Sequence, residues 1–175
     1  MEKLTKQPCP VCGKKTLTLI QDEKDMPYFG KVYIFTMKCD NCKYNKSDIE
    51  VEDQKEPQKV EITIDNKKDM DIRVVKSSSA SLKIPQMRMS VESGPDSNGY
   101  VSNIEGLLER FKKILEQERD SEDDPKVRKH AKNLLKKLWK VTLGEQPLKI
   151  IIEDPTGNSA IISDKAKITK LKVKN

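Results

Sequence analysis

Histidine is almost absent from this 175-residue chain, which contains one, His130. That scarcity argues against a histidine-clustered catalytic metal of the cupin kind and leaves a Ser/His/Asp triad without a convincing base. GxGxxG and Walker patterns are missing too, so neither familiar phosphate cradle is available. No run approaches the roughly 18 consecutive apolar residues of a membrane span. Arginine is sparse: of 34 basic residues only five are Arg, and 28 acids are interleaved with them. Since Arg is the side chain that reads guanine or phosphate bidentately, the net charge of +6 points first to a solvated surface and only second to a nucleic-acid face. The opening "MEKLTKQPCPVCGKK" has no apolar signal core. The expectation is therefore a cytoplasmic protein with reduced thiols, no membrane partner and no small-molecule substrate.

What the sequence does hold is concentrated in its cysteines. All four fall in two CxxC knuckles, Cys9-Pro10-Val11-Cys12 and Cys39-Asp40-Asn41-Cys42. Two short turns that bring four thiolates together suit one tetrahedral Zn²⁺, whereas a redox dithiol needs a single CxxC beside a βαβ unit. With four protein ligands no coordination position stays open, so the zinc is structural. Gly13 follows the first knuckle and suits positive φ; Lys43 stands at the equivalent place in the second. Lys14, Lys15, Lys38 and Lys43 border the ligands and either offset the thiolate charge or form a basic patch. Between the knuckles, "TLTLIQ" and "KVYIFTMKC" read as two strands of a ribbon hairpin.

The polar stretch "VEDQKEPQKV" follows, with Pro57 discouraging a continuous strand. It divides a zinc ribbon of residues 1–52 from a β-domain of residues 53–175. In the second part "KVEITI", "DIRVVKS", "SASLKIP", "MRMSVES", "LKIIIED", "SAIIS" and "ITKLKVK" have strand character. A helical hairpin at about 102–143 interrupts them. Ser102 with Glu105 reads as a capping box, before an apolar stripe of Ile104, Leu107, Leu108, Phe111, Ile114 and Leu115. Asp124 and Pro125 open a second helix with Val127, Ala131, Leu134, Leu135, Leu138 and Val141 inward, and Gly144 ends it.

Three surface features remain. Lys129, Lys132, Lys136, Lys137 and Lys140 surround Trp139 on the second helix, and Lys132, Lys136, Trp139 and Lys140 are the candidate partner face for an acidic protein. Trp139 has a plainer alternative, partial burial at the edge of the stripe. "EDPTGNSAII" (153–162) reads as a tight turn: Asp154 accepts backbone N–H groups, Pro155 fixes a corner, and Gly157 or Asn158 takes positive φ. In the tail, Lys170, Lys172 and Lys174 share one face of a strand, where lysines protect an edge from unwanted pairing.

The order "CPVCG", "CDNC", "DMDIRVVKSSSASLKIPQMRMSVE", "SNIEGLLERF", "EDPTGNSAII" resembles the ZPR-type zinc-finger family from about Cys9 to Ile162. The resemblance implies a zinc ribbon followed by a double-stranded β-helix-like domain carrying the helical hairpin, mainly β overall. It implies one module, as in archaeal members, where eukaryotic ones carry two. It also implies binding of translation elongation factor 1 alpha, a GTPase, as a non-enzymatic chaperone or adaptor through the zinc finger and the hairpin. Two positions depart from the family pattern: Gln86 stands where an acid is common, and Asn103-Ile104-Glu105-Gly106 replaces a Thr-Val-Glu-Gly helix start. The alternative function is a nucleic-acid-binding zinc ribbon acting in transcription or translation.

Overall fold

The structure is a computed structural model that describes residues 1–26, 30–51 and 56–171. The expected boundary between residues 52 and 53 lies outside the described residues, as do Lys172 and Lys174 of the tail.

The N-terminal part forms a four-stranded antiparallel sheet in chain order: β1 (Glu2–Gln7), β2 (Leu17–Met26), β3 (Gly30–Cys39) and β4 (Asn45–Val51). The two expected strands are the middle pair, in register from Leu17↔Cys39 to Met26↔Gly30. The flanking strands were not legible: β1 reads EKLTKQ and is exposed until its last residue, and β4 opens with the turn-type residues Asn45, Lys46 and Ser47. Backbone pairing to a strong neighbour, not intrinsic propensity, makes them strands.

The remaining elements are β5 (Gln58–Ile64), a 3-10 turn at Lys67–Asp71, β6 (Arg73–Lys76), β7 (Ser81–Ile84), a second 3-10 turn at Pro85–Met87, β8 (Met89–Val91), β9 (Tyr100–Asn103), α1 (Ile104–Ser121), α2 (Pro125–Thr142), β10 (Leu148–Asp154), β11 (Ala160–Ile162) and β12 (Lys167–Lys170). They make a five-stranded sheet ordered β12-β5-β10-β7-β8 and a three-stranded sheet ordered β11-β6-β9, all antiparallel. This is the expected mainly β, double-stranded β-helix-like domain, with the helical hairpin inserted between β9 and β10. Val60, Ile62, Ile64, Ile150 and Ile152 cover the inner face of the larger sheet and pack with Val74, Ile161 and the helices' apolar stripes. The outer face carries paired charges, with Glu61 held by Lys59 of its own strand at 2.8 Å and by Lys149 of the neighbouring β10 at 3.0 Å.

The helices correct the sequence reading at two points. Asn103, not Ser102, caps α1, accepting from Gly106 N at 2.8 Å; no Ser102–Glu105 box forms, because β9 keeps the chain extended through Asn103 in its pairing with Arg73. Ile114 is half exposed, so the buried stripe of α1 is Ile104, Leu107, Leu108, Phe111 and Leu115. In α2, Asp124 accepts from Lys126 N at 2.8 Å, Pro125 occupies the first turn, and Gly144 at φ +78° follows the helix.

The smaller sheet lies between two apolar layers. On β6, Val74 faces the main core while Val75 joins Met26, Val32 and Ile49 of the ribbon; on β11, Ile161 and Ala160 divide the same way. The period-two alternation of a strand thus fastens the ribbon onto the β-domain.

Candidate functional site

At the zinc knuckles the chain turns back on itself twice. Gly13 N donates to Cys9 O at 2.9 Å and Cys9 N to Lys14 O at 2.9 Å; in the second knuckle Cys39 N donates to Tyr44 O at 2.8 Å. Gly13 has φ +68° and Lys43 has φ +61°, so the two knuckles share one backbone shape although only the first carries the residue that adopts it without strain. The four sulfurs all lie within 4.8 Å of one another. Cys9 and Cys42 Sγ are 3.7 Å apart, and Cys12 and Cys39 Sγ 3.8 Å. A tetrahedron with Zn–S bonds of about 2.3 Å has edges of about 3.8 Å, so the cage fits zinc as it stands.

Leu17, Leu19, Met37 and Tyr44 pack around Cys9 and Cys39. The thiols cannot all ionise alone. Cys39 is lowered to about 6, first by a backbone hydrogen bond from Cys42 and then by the Thr16 hydroxyl 3.3 Å away. Cys42 is pushed up to about 12: a backbone hydrogen bond from Tyr44 works in the other direction, but desolvation and the three neighbouring sulfurs prevail. A divalent cation at the centre relieves that repulsion. Lys14 is not free to act as a patch residue, since its Nζ spans the knuckles to Asn41 Oδ1 at 3.0 Å.

The 153–162 segment proves to be the centre of a buried polar junction. Asp154 ends β10, is fully buried, and accepts from Ser159 Oγ at 2.5 Å, Thr156 Oγ1 at 2.7 Å, Thr156 N at 2.8 Å, Ser77 Oγ at 2.8 Å and Ser79 Oγ at 3.2 Å. Burial by itself raises an aspartate, but the donors from Ser159, Thr156 and Ser77 outweigh it and hold this carboxyl below its ordinary value. Gly157 has φ +72°, and its carbonyl and that of Ser159 both accept from Gln58 Nε2, at 2.9 and 2.6 Å. The loop after β6, Ser77-Ser78-Ser79, carries the chain of contacts on to the ribbon: Ser78 Oγ and N donate to Asp48 of β4 at 2.7 and 3.2 Å. Beside it, Gly99 N donates to Ser47 O at 2.8 Å, and a Cβ at Gly99 would stand 3.0 Å from Ile49 N. A side chain at Gly99 would require β4 to give way by a few tenths of an ångström.

Lys76 is buried in the same region, its Nζ donating to Ser77 O at 3.0 Å and lying 5.8 Å from the Tyr100 ring, whose centroid is 4.1 Å from the Arg110 guanidinium. Burial lowers this amine from its usual value, against the attraction of Asp154 and Asp48. The sequence reading foresaw Asp154 as a backbone acceptor and missed the serine cage. The run of three serines after a buried strand was the available signal.

On α2, Lys132, Lys136, Trp139 and Lys140 are all exposed, and Trp139 shows 62% of its surface. Lys137 turns away, donating to Gln86 O at 2.8 Å. Trp139 also walls a groove of about 280 Å³ between the helices, floored by Leu108, Leu135 and Leu138 and bordered on α1 by Glu105, Glu109 and Glu116. That acidic wall was not read from the sequence, although its spacing lies on one helical face. His130 is exposed on α2 and joins no cluster of metal-ligating groups among the described residues, where the four cysteines form the one such group. No helix among the described residues is long and apolar enough to cross a membrane.

Comparison with known proteins bears on both parts of the chain. Residues 2–56 match a family model described as the ZPR1 zinc-finger domain, and residues 68–175 match one described as the ZPR1 jelly-roll domain. An uncharacterized ZPR1-like protein of Pyrococcus horikoshii is 41% identical over 167 residues, covering 93% of this chain and 75% of the relative. One from Methanocaldococcus jannaschii is 36% identical, covering 94% and 83%. A protein of Schizosaccharomyces pombe named as the zinc finger chaperone zpr1 is 28% identical over 157 residues, 87% of this chain but 33% of the relative.

Proposed function

The chain belongs to the ZPR1 family, and from that premise we propose that it is a zinc-dependent, non-enzymatic protein of the cytoplasm that binds translation elongation factor 1 alpha and assists its folding or maturation. The observation that carries the reading is the match along both domains to a family with a relative named as a chaperone. The four-cysteine cage supports it, as a metal-stapled module suited to recognition. So does the exposed face of Lys132, Lys136, Trp139 and Lys140, which offers an aromatic anchor among cations to an acidic partner surface. In the same reading Asp154, Pro155, Gly157 and Asn158 hold backbone geometry rather than touch the partner, and residues 1–52 and 53–175 are the two units. Pull-down from a native extract tests the idea: zinc-loaded protein retains the elongation factor, and chelator-treated protein does not. If the zinc-loaded protein retains none, the proposal fails.

A nucleic-acid-binding ribbon is the second reading, supported by the exposure of Lys15, Lys38 and Lys43 around the knuckles. It requires binding that weakens steeply with salt, with a log–log slope reflecting several phosphate contacts. A flat titration with single- and double-stranded oligonucleotides at low salt removes it.

A further inference from the structure

The ribbon sheet has two faces: one packs on the β-domain, and the other is covered only at its zinc end, where Leu17, Leu19 and Met37 pack against the knuckles. Met26, Val32, Ile34, Ile49 and Val51 point to the β-domain and pack with Val75 and Ala160. By strand alternation the opposite face carries Leu4, Leu19, Met37 and Phe35. The register puts Leu4 across from Leu19 and Leu19 across from Met37, while Phe35 stands opposite Gln21 one pair further on. These residues line an open groove of about 340 Å³, at the lower end of the roughly 300–1,000 Å³ range of ligand clefts. Leu4, at its rim, is 60% exposed. A sheet that needed this face only for solubility would carry polar residues at those positions.

Charge decides what fits. Glu2 lines the groove, and the exposed Glu50 shares its face one pair beyond Phe35, where Glu23 is offset by Lys31. The cations on that face are engaged: Lys31 bonds Glu23 at 3.0 Å, and Lys46 donates to Pro95 O at 3.2 Å. Asp48 is taken by Ser78. An apolar strip edged by acids therefore stands on a protein whose net charge is +6 and whose α2 face is basic. We propose that the outer face of the zinc ribbon is a docking groove for a polypeptide segment that carries aliphatic or aromatic anchors flanked by Lys or Arg. The anchors enter between Leu4, Leu19, Phe35 and Met37, and the cations meet Glu2 and Glu50. Leu17, next along the same face, packs against Cys9 and Cys39, so zinc holds the floor of the groove in shape. A bound partner thus meets two surfaces of opposite sign on one molecule. The groove follows from the ribbon's chemistry and does not depend on which factor is bound.

The test uses full-length, zinc-loaded protein and fluorescence anisotropy with two labelled peptides, one alternating Leu and Phe with Lys, the other with Glu in place of Lys. The Lys peptide binds, and the Glu peptide binds at least about tenfold more weakly. Leu4→Asp and Glu2→Lys each weaken the Lys peptide by about tenfold or more, in line with losing one buried aliphatic anchor or one charge contact, while zinc content and melting temperature hold. Both residues are exposed, so the fold tolerates the changes; Glu2→Lys decides the matter should Leu4→Asp lose zinc. Equal binding of both peptides, no binding, or undiminished binding by the variants overturns the proposal. So does a dimer by sedimentation that Leu4→Asp abolishes without any peptide binding, which would assign the face to a second copy. Capture of phosphatidylcholine vesicles in place of the peptide would assign it to lipid and overturn it equally.

Discussion

Asp154 shows how one buried side chain carries more than a turn requires. Its carboxylate accepts five hydrogen bonds, from the hydroxyls of Ser77, Ser79, Thr156 and Ser159 and from the Thr156 N–H, and the four hydroxyls converge on it from positions up to 77 residues away in sequence. Asp154→Asn replaces one acceptor oxygen by an NH₂ that faces donors. With charge-assisted hydrogen bonds contributing about 1.5–3 kcal/mol each and partial rearrangement of the hydroxyls, the expected loss is about 2–3 kcal/mol. At about 2–4 °C per kcal/mol for a chain of this size, the melting temperature falls by about 4–12 °C. The pH dependence has a definite sign. The folded carboxyl lies below the unfolded value of about 3.9, so its contribution is complete above that value and disappears as pH falls through the folded one. Urea denaturation of wild type and variant across about pH 3 to 6 checks this. Zinc loss affects both proteins and cancels in their difference; a difference that stays constant across the window would refute the assignment. Gly157→Ala, at φ +72°, lowers the melting temperature and leaves partner retention per folded molecule unchanged. Retention lost at an unchanged melting temperature would make the turn a contact instead.

At the scale of elements, α2 separates stability from binding. Its buried residues are Ala131, Leu138 and Val141, whereas Trp139 and the lysines at 132, 136 and 140 lie on the surface. Trp139→Ala therefore changes stability by only about 0.5 kcal/mol and, if this face is the docking surface, weakens elongation-factor retention by roughly 2 kcal/mol or more. Binding unchanged in Trp139→Ala and in the triple Lys→Glu variant would move the contact elsewhere. The helices were the most legible elements because α1 and α2 carry long apolar stripes and Asp124-Pro125 marks a start. The cap of α1 was misread because its N-terminus is fixed by tertiary pairing: Asn103 is still in β9, which local propensity does not reveal. β1 and β4 were lost for the same reason, being held by their neighbours β2 and β3. The zinc cage was fully legible, since ligand identity and CxxC spacing are themselves the chemistry. The serine cage was not: its partners, Ser77 and Asp154, meet only when β6 and the turn after β10 come together.

At the scale of the whole molecule, the two domains are coupled through a shared layer rather than a linker. Val75 and Ala160 bury against Met26, Val32 and Ile49, and Asp48–Ser78 and Gly99–Ser47 close the edge of that layer. Structural zinc in such modules contributes roughly 10–16 kcal/mol of apparent free energy, so chelation unfolds the ribbon. Unfolding removes the apolar cover from one face of the β11-β6-β9 sheet and releases Ser78, whose neighbours hold Asp154. The consequence should travel into the β-domain along that path and fade away from it. Hydrogen exchange on the intact chain, with and without chelator, is expected to lose protection throughout β2, β3 and β4, then at β6, β9, β11 and the Ser77–Ser79 loop. The α1–α2 hairpin and β5–β10, whose contacts are with the main core, keep theirs. Gly99→Val produces a weaker version without touching the metal, because its added side chain crowds Ile49 N of β4 and Lys76 O of β6, 3.0 and 3.2 Å from the site of the new Cβ, and pushes β4 off the β-domain. If β6, β9 and β11 stay protected after the zinc is removed, the shared layer does not couple the domains, and the ribbon is an independent unit that only rests on the β-domain.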